Sequence, residues 1–398
     1  MGLDEKTLAT IVRRGVAEII PQDEFVRELQ SGRKLRLKQG FDPTRPDLHL
    51  GHVVGLRKLR QLQALGHHVV VIVGDWTARI GDPSGQSATR PMLSAEDVRA
   101  NAETYMRQFF KVVDRQLTQV VWQSEWFGKF SLTDVIRLTS RFTVAQIMQR
   151  DDFAKRFKEN RPIAVTELLY PLLQAYDSVM VQADVEFGGT DQRFNCLLGR
   201  ELQGMMGQRP QQVFMVPILP GTDGVQKMSK SLGNYIALEE PPEDMFGKVM
   251  SLPDNLIATY FELLTDVPDD ELARVKADVE GQRVNPMSLK KRLGWEIVAQ
   301  FHSREAADKA QAHFERVFQK REAPEEVPTY RPPADLSQLR LSRALVDAGL
   351  AASASEARRL IAQGAVDIDG EKVAADGPAD RLKPGAVIRV GKHKFVKV

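Results

Sequence analysis

The stretch KLRLKQGFDPTRPDLHLGHVVGLRKLRQLQALGHHVVVIVGDW, residues 34–76, decides the fold. KLRLKQGF reads as a strand, HVVGLRKLRQLQALG as a helix and HHVVVIVGDW as a second strand. That second strand is almost continuously aliphatic, as a parallel strand covered on both faces should be. Gly66 ends the helix and hands over to it. A strand–helix–strand unit of this size builds a doubly wound α/β sheet, with a ligand crevice at the carboxyl ends of its strands.

The connection FDPTRPDLHLGH, residues 41–52, carries the first chemistry. Pro43 and Pro46 keep the chain extended, and Asp47 is placed to cap a helix beginning at Leu48. His49 and His52 are three apart, so both imidazoles leave one side of the first helical turn. Gly51 between them leaves room for a flat ring to press on the backbone. A helix amino end attracts anions, and two imidazole donors strengthen it, which points to polyphosphate. A metal-binding pair or two surface histidines would show the same spacing.

Further along, GTDGVQKMSKSLGN, residues 221–234, is a loop of glycines and small polar residues holding Lys227 and Lys230. Two ammonium groups on a loop that closes and reopens can follow charge as it moves onto a leaving pyrophosphate. Standing alone the segment would read as an exposed basic turn. Downstream of the histidine pair on a doubly wound sheet, it reads as the second half of a triphosphate grip.

Composition sets the frame around these segments. The 398 residues exceed one small core, with 42% apolar and 27% charged residues and a net charge of +2. The longest aliphatic run, Val69 to Val73, is too short to span a bilayer. The start, MGLDEKTLATIV, lacks the order of a secretory signal, and the single Cys196 excludes an internal disulfide or a cysteine zinc cage. A reducing cytoplasm is expected, with no membrane attachment. Charge is unevenly spread: residues 339–398 hold eleven basic against seven acidic side chains, an excess of four, so the other 338 residues carry −2. A basic module at one end suggests a bound polyanion. Pro324, Pro328, Pro332 and Pro333 mark a linker at 325–338, preceded by helical periodicity from about residue 241 to 320.

In these residues the chain resembles a known family. HLGH (His49–His52) and KMSKS (Lys227–Ser231) look like the two signatures of class I aminoacyl-tRNA synthetases. GFDPT (Gly40–Thr44), IGDPSG (Ile80–Gly85), YPLLQAYD (Tyr170–Asp177) and GGTDQ (Gly188–Gln192) narrow the likeness to bacterial-type tyrosyl-tRNA synthetases. ATRP at Ala88–Pro91 and the KMSKS wording look like the branch with a shorter catalytic domain. From Leu341 the chain is similar to the S-four type RNA-binding module. The resemblance implies a Rossmann-type catalytic domain over 1–235 with a dimerisation insertion at about 115–165. It further implies an α-helical anticodon-side domain over 236–324, the linker, and a small α+β RNA-binding domain over 339–398.

It also implies tyrosine activation by ATP with Mg2+, giving tyrosyl-adenylate and pyrophosphate, then transfer of the tyrosyl group to tRNA(Tyr). No protein ligand cluster for a metal is recognisable, so magnesium would enter with ATP. Carried over position by position, His49, His52, Lys227 and Lys230 become the catalytic residues. Thr44, Gly51, Gly189, Asp191, Met228, Ser229 and Ser231 fall on the ATP side. Asp177 matches the acceptor of the substrate phenol; Asp82, Tyr170 and Gln174 match the holders of its α-amino group. Gln192 matches a residue near the reacting carboxylate, and Asp42 one beside the amino acid. Lys38 and Gln39 stand where many relatives carry Tyr and Cys, and Gly55 replaces a threonine, which leaves the second phenol partner unassigned.

In the tail, Arg343, Ser355, Arg358, Arg359, Lys392 and Lys394 are the expected tRNA contacts, the arginines set on two short helices. Residues 132–157 are amphipathic, with Phe142, Ile147, Met148 and Phe153 available to a homodimer interface or to packing within their own domain. Two rival functions follow from the same residues: an RNA-binding descendant that lost catalysis, or a ligase for another aromatic amino acid.

Overall fold

A computed structural model describes residues 3–44, 47–82, 94–319, 328–333, 336, 339–391 and 394–398. The IGDPSG segment lies partly, and ATRP wholly, outside them. The chain forms two compact units, residues 1–241 with 248–297, and residues 242–247 with 298–398.

The larger unit is built on a six-stranded sheet of β1 (Glu18–Ile20), β2 (Arg36–Phe41), β3 (His68–Val73), β4 (Thr118–Trp122), β5 (Val185–Gly189) and β6 (Gln212–Val216). Their spatial order is β1-β6-β5-β2-β3-β4. All neighbours run parallel except β1, which pairs antiparallel with β6 at the edge. The doubly wound expectation holds, and the antiparallel edge strand is an addition that sequence pattern did not suggest. From β2 the chain proceeds through β3 and β4 in one direction and through β5 and β6 in the other. The order therefore reverses between β2 and β5, and that reversal opens a crevice at their carboxyl ends. In β3, Val69 through Val73 are buried, which is why the strand shows no polar alternation.

The Leu50–Gln63 helix follows β2, as expected, but its start differs from the sequence reading. His49, not Asp47, is the N-cap, and the helix begins at Leu50 rather than Leu48. Asp47 instead accepts a hydrogen bond from Gln108 Nε2 at 3.2 Å. The imidazole can cap because Nδ1 reaches the second helical N–H as a serine oxygen would. Arg57 and Lys58, polar in sequence, are buried on this helix. Arg57 pairs with Asp266 at 2.5 Å, and Lys58 donates to the Thr10 and Ile11 carbonyls at 3.1 and 3.2 Å. The helix is thus gripped along its length, and its histidine end is held on a rigid element.

Beyond Pro241 the chain is helical, with helices at Pro242–Met250, Ile257–Leu264, Asp269–Glu280, Pro286–Phe301 and Arg304–Phe314. The tail has the two short helices expected, Leu341–Asp347 and Ala354–Ala362. A four-stranded antiparallel sheet of β7 (Val366–Ile368), β8 (Glu371–Lys372), β9 (Val387–Val390) and β10 (Lys394–Lys397) accompanies them. Its sixteen core residues all lie between Leu341 and Val396, so this module has a hydrophobic core of its own. None of the described helices is long and apolar enough to cross a membrane.

Candidate active site

A cavity of about 270 Å³ opens at the β2–β5 reversal. Asp42, Asp82, Tyr170, Gln174, Asp177 and Gln192, the six residues expected around the amino acid, all line it. Four separate segments of chain deliver them, and the sheet topology is what brings these together. Gly189, Asp191 and His52 line the same cavity; Thr44, Gly51, Met228, Ser229 and Ser231 do not.

Asp177 lines the cavity from the Tyr170–Val181 helix and is 2% exposed. Gln123 Nε2 donates to its Oδ2 at 2.7 Å and Trp126 Nε1 to its Oδ1 at 3.1 Å. Burial pushes its carboxyl up to about 7, against the pull of the Lys38 ammonium and these donors. Asp42 accepts from Thr77 Oγ1 at 2.6 Å and from the Tyr170 hydroxyl at 2.7 Å. Burial and the Asp42 charge raise the Tyr170 phenol well above its ordinary range, so it remains a donor. Gln192 Nε2 donates to Asp82 at 2.8 Å, and the buried Arg150 guanidinium holds the other Asp82 oxygen at 3.1 Å.

Lys38 proves to be a buried ion-pair member. Its Nζ donates to Glu186 Oε1 at 2.8 Å, Ser178 Oγ at 2.7 Å and the Gln174 carbonyl at 2.9 Å. Every ammonium proton therefore has an acceptor, as burial of a charge requires. Glu186 is satisfied in turn by Ser178, Gln174 and Gln211. The network fastens the Tyr170–Val181 helix to β2 and β5 directly beneath the cavity. Gln39 also lines the cavity and packs over Gly55, where an added Cβ would lie 3.4 Å from the Gln39 amide.

His49 and His52 form one structural unit, their rings 4.0 Å apart. His49 Nδ1 accepts from Gly51 N, and His52 Nδ1 accepts from His49 N, each at 3.2 Å. A neutral imidazole whose Nδ1 accepts carries its proton on Nε2. Burial and the Lys230 charge push His52 down to about 4, and burial with the His52 and lysine charges holds His49 well below its usual range. Both are thus neutral donors at physiological pH. Gly51 is dictated by its neighbour: a Cβ there would stand 2.9 Å from His49 Cε1.

The 221–234 loop meets this helix end. Leu50 N donates to the Ile236 carbonyl at 3.0 Å and Leu238 N to the Leu48 carbonyl at 3.2 Å, stitching the two signatures together. Asn234 organises the loop: its Oδ1 accepts from Ser229 N at 2.8 Å, and its Nδ2 donates to Asp223 at 2.6 Å and to the Lys227 carbonyl at 3.1 Å. Gly221 permits this approach, since a Cβ would fall 2.3 Å from Asn234 Nδ2. Lys227 reaches Asp191 at 3.3 Å, while Lys230 turns toward Tyr105 and the imidazoles. The two ammonium groups, adjacent in sequence pattern, therefore address different parts of the cleft. Ser229 and Ser231 hydroxyls bond each other at 2.8 Å, and Met228 is buried.

In the tail, Ser355, Arg358 and Arg359 are exposed on the Ala354–Ala362 helix. Arg343 pairs with Asp347 at 3.0 Å, and Lys394 Nζ donates to the Leu350 carbonyl at 3.3 Å. Lys392 lies outside the described residues. Among the described residues no group of three or more His, Cys, Asp or Glu side chains could hold a metal.

Of the two readings open for the apolar residues of 132–157, packing within their own domain is the one observed. Phe142, Ile147 and Phe153 are buried in a cluster of their own domain, with Met148 packed against it. They are not available to a partner. Sequence reasoning also missed Asn234, which lies inside the quoted 221–234 loop, and Gln123, Trp126, Arg150 and Tyr105, which belong to none of the quoted motifs. Long-range partners give those four a role, and Asn234 gets its role from within the loop.

Comparison with known proteins gives the family. A family described as "tRNA synthetases class I (W and Y)" matches residues 30–319, and one described as "Tyrosine--tRNA ligase SYY-like C-terminal domain" matches 319–398. The tyrosine–tRNA ligase of Dehalococcoides mccartyi (strain CBDB1) is 60% identical over 397 residues, all of both chains. That of Thermotoga maritima is 51% identical, covering 98% of this chain and 96% of its own. The fold is shared with a C-terminally truncated mitochondrial tyrosyl-tRNA synthetase of Aspergillus nidulans (TM-score 0.66, 19% identity, 79% of this chain and 95% of that one). It is shared too with the tyrosyl-tRNA synthetase of Archaeoglobus fulgidus solved with L-tyrosine (TM-score 0.63, 24% identity, 77% and 99%). The chain belongs to the tyrosine–tRNA ligase family of class I tRNA synthetases.

Proposed function

We propose that this chain is an ATP-dependent tyrosine–tRNA ligase acting in cytoplasmic protein synthesis. The observation that carries the reading is the convergence of Asp42, Asp82, Tyr170, Gln174, Asp177 and Gln192 on one cavity, opening beside His52. In the first step a tyrosine carboxylate oxygen attacks the α-phosphorus of magnesium-bound ATP, and pyrophosphate leaves. In the second, a hydroxyl of the tRNA 3′ adenosine attacks the tyrosyl carbonyl, and AMP leaves. Neither step needs a nucleophile from the protein, so catalysis is positioning plus charge stabilisation.

Asp177 accepts the phenol O–H, and phenylalanine would leave that buried carboxyl unanswered. Asp82, Tyr170 and Gln174 receive the α-amino group, with Asp42 and Gln192 nearer the reacting carboxylate. The neutral Nε2–H donors of His49 and His52, with Lys227 and Lys230, stabilise negative charge growing on the phosphates. Asp191 and Gly189 take the ribose, and Thr44, Gly51, Met228, Ser229 and Ser231 border the nucleotide.

Residues 1–235 are the catalytic domain, 236–324 the anticodon-side helical domain, 325–338 a linker and 339–398 the RNA-binding domain. In the last, Arg343, Ser355, Arg358, Arg359, Lys392 and Lys394 contact tRNA(Tyr) phosphates. A homodimer forms through the insertion. Its support is a set of strongly exposed apolar side chains there: Leu132, Ile136, Val144, Phe157 and Val165.

Pyrophosphate exchange into ATP, measured amino acid by amino acid without tRNA, tests the reading. Exchange with tyrosine is expected. Exchange with tryptophan alone would identify the other branch of the family, and none with any amino acid would favour the RNA-binding descendant.

A further inference from the structure

Tyr260 lies outside the quoted motifs, yet its hydroxyl reaches the root of the lysine loop. It projects from the Ile257–Leu264 helix and is fully buried. Its O–H donates to the Pro220 carbonyl at 2.6 Å. Pro220 faces Lys227 across an antiparallel bridge. That bridge is closed on either side, by Met228 N donating to the Leu219 carbonyl at 2.9 Å and Gly221 N to the Gln226 carbonyl at 2.8 Å. The loop approaches the same region a second time at its tip, where a Cβ on Gly224 would fall 2.6 Å from Pro253 Cγ.

The helix that carries Tyr260 is itself fastened to the helix that carries the histidines. Arg57, on the Leu50–Gln63 helix, donates to the Thr265 carbonyl and pairs with Asp266, each at 2.5 Å. Arg14 donates to the Thr265 and Val267 carbonyls at 2.9 and 2.5 Å. Two guanidiniums thus hold carbonyls at and just beyond the helix C-terminus, where the dipole is negative. One short element is therefore tied to both halves of the phosphate grip proposed above. Burial and the Asp223 charge raise the Tyr260 phenol, so it remains a donor. A lysine on its long flexible stem can be aimed only if the backbone beneath it is fixed, and a misplacement of about 1 Å can cost about 10²-fold in rate.

We propose that Tyr260 is a positioning residue for Lys227: its hydroxyl pins Pro220, and across the Pro220–Lys227 bridge it fixes the backbone from which Lys227 reaches the phosphates. This rests on the catalytic role given to Lys227 above.

The test is ATP–pyrophosphate exchange at saturating tyrosine and ATP with Tyr260→Phe, which removes the hydroxyl and keeps the buried ring. Val275→Ala, a truncation of a buried side chain on the Asp269–Glu280 helix, is the control for lost stability alone. The expected result is about a tenfold fall in kcat in Tyr260→Phe, the scale of one lost hydrogen bond. Tyrosine affinity without ATP is expected to stay unchanged, and Val275→Ala to exchange at the wild-type rate. Added to Lys227→Ala, the Tyr260→Phe change should cost nothing more. Wild-type kcat in Tyr260→Phe, an equal loss in Val275→Ala, or a full tenfold loss in the Lys227→Ala background would overturn the positioning role and leave the ligase reading intact. Wild-type exchange in Lys227→Ala would overturn the catalytic role of that lysine and this proposal with it.

Discussion

Lys227 Nζ lies 3.3 Å from Asp191 Oδ2, so the 221–234 loop is latched to the end of β5 by one ion pair. Both side chains are about a third exposed or more, at 41% and 32%, which limits the pair to roughly 0–1 kcal/mol of stability. The pair is therefore a weak brace, and the catalytic role proposed for Lys227 can be tested apart from stability. We predict that Lys227→Ala slows adenylate formation by about 10²–10³ while its melting temperature stays close to wild type. A Tm loss of many degrees would instead make the pair a structural brace.

The histidine unit gives a prediction in which stability and activity part company. Alanine is normally favoured over glycine in a helix by about 0.5–1 kcal/mol. At position 51, however, the new methyl group must displace the His49 ring. Gly51→Ala should slow pyrophosphate exchange by at least about tenfold without a matching loss of fold, and His52→Ala by about 10²–10³. Full activity in Gly51→Ala would show that the His49 cap geometry is dispensable.

Asp177 predicts a pH dependence. Its folded value of about 7 stands above its ordinary value of 3.8, so the folded enzyme holds this proton more tightly than the unfolded chain. The stability this contributes is present below the ordinary value and is lost as pH rises through about 7. Function runs the other way: the phenol prefers the ionised acceptor, so KM for tyrosine should climb as pH falls below about 7. Asp177→Asn should bind tyrosine more weakly and abolish that slope; a slope that survives in this variant would assign the titration elsewhere.

Ile136 and Phe157 are 58% and 69% exposed on the insertion, a large apolar surface to leave in water. Glutamate at both positions should convert a dimer to a monomer in light scattering without unfolding the larger unit. A wild-type chain that is already monomeric would remove the interface.

The tail carries its own core, and Tyr330 N donates to the Lys397 carbonyl, so the linker is fastened to the module from about residue 328. Removing 328–398 should spare adenylate formation and weaken tRNA charging, with the remaining binding less dependent on salt. Equal loss of both activities would make the tail a stabiliser of the rest.

Features confined to a short stretch were legible in the sequence. The β2–helix–β3 unit and the HLGH and KMSKS segments announce themselves because residue type and spacing carry their physics. What failed depended on distance or on competing caps. Lys38 and Glu186 are 148 positions apart, and nothing in KLRLKQGF shows that its second lysine is neutralised by a neighbouring strand. In the insertion one amphipathic stretch was read where three short helices stand, at Leu132–Thr139, Val144–Ile147 and Asp151–Lys158. The signal was available: Ser131 with Asp134, and Thr143 with Gln146, are capping boxes that restart the helix and turn Phe142 inward.

The Lys38 network has a practical consequence for recoding the enzyme toward artificial amino acids. Its three acceptors are Glu186, Ser178 and the Gln174 carbonyl, and Asp177 is not among them. Asp177, the proposed acceptor of the phenol, can therefore be exchanged without stranding a cation underneath it, whereas altering Lys38 or Glu186 singly would leave its counterpart buried and unbalanced. A library that varies position 177 and leaves 38 and 186 untouched should keep a sound scaffold while it searches for new side-chain preferences.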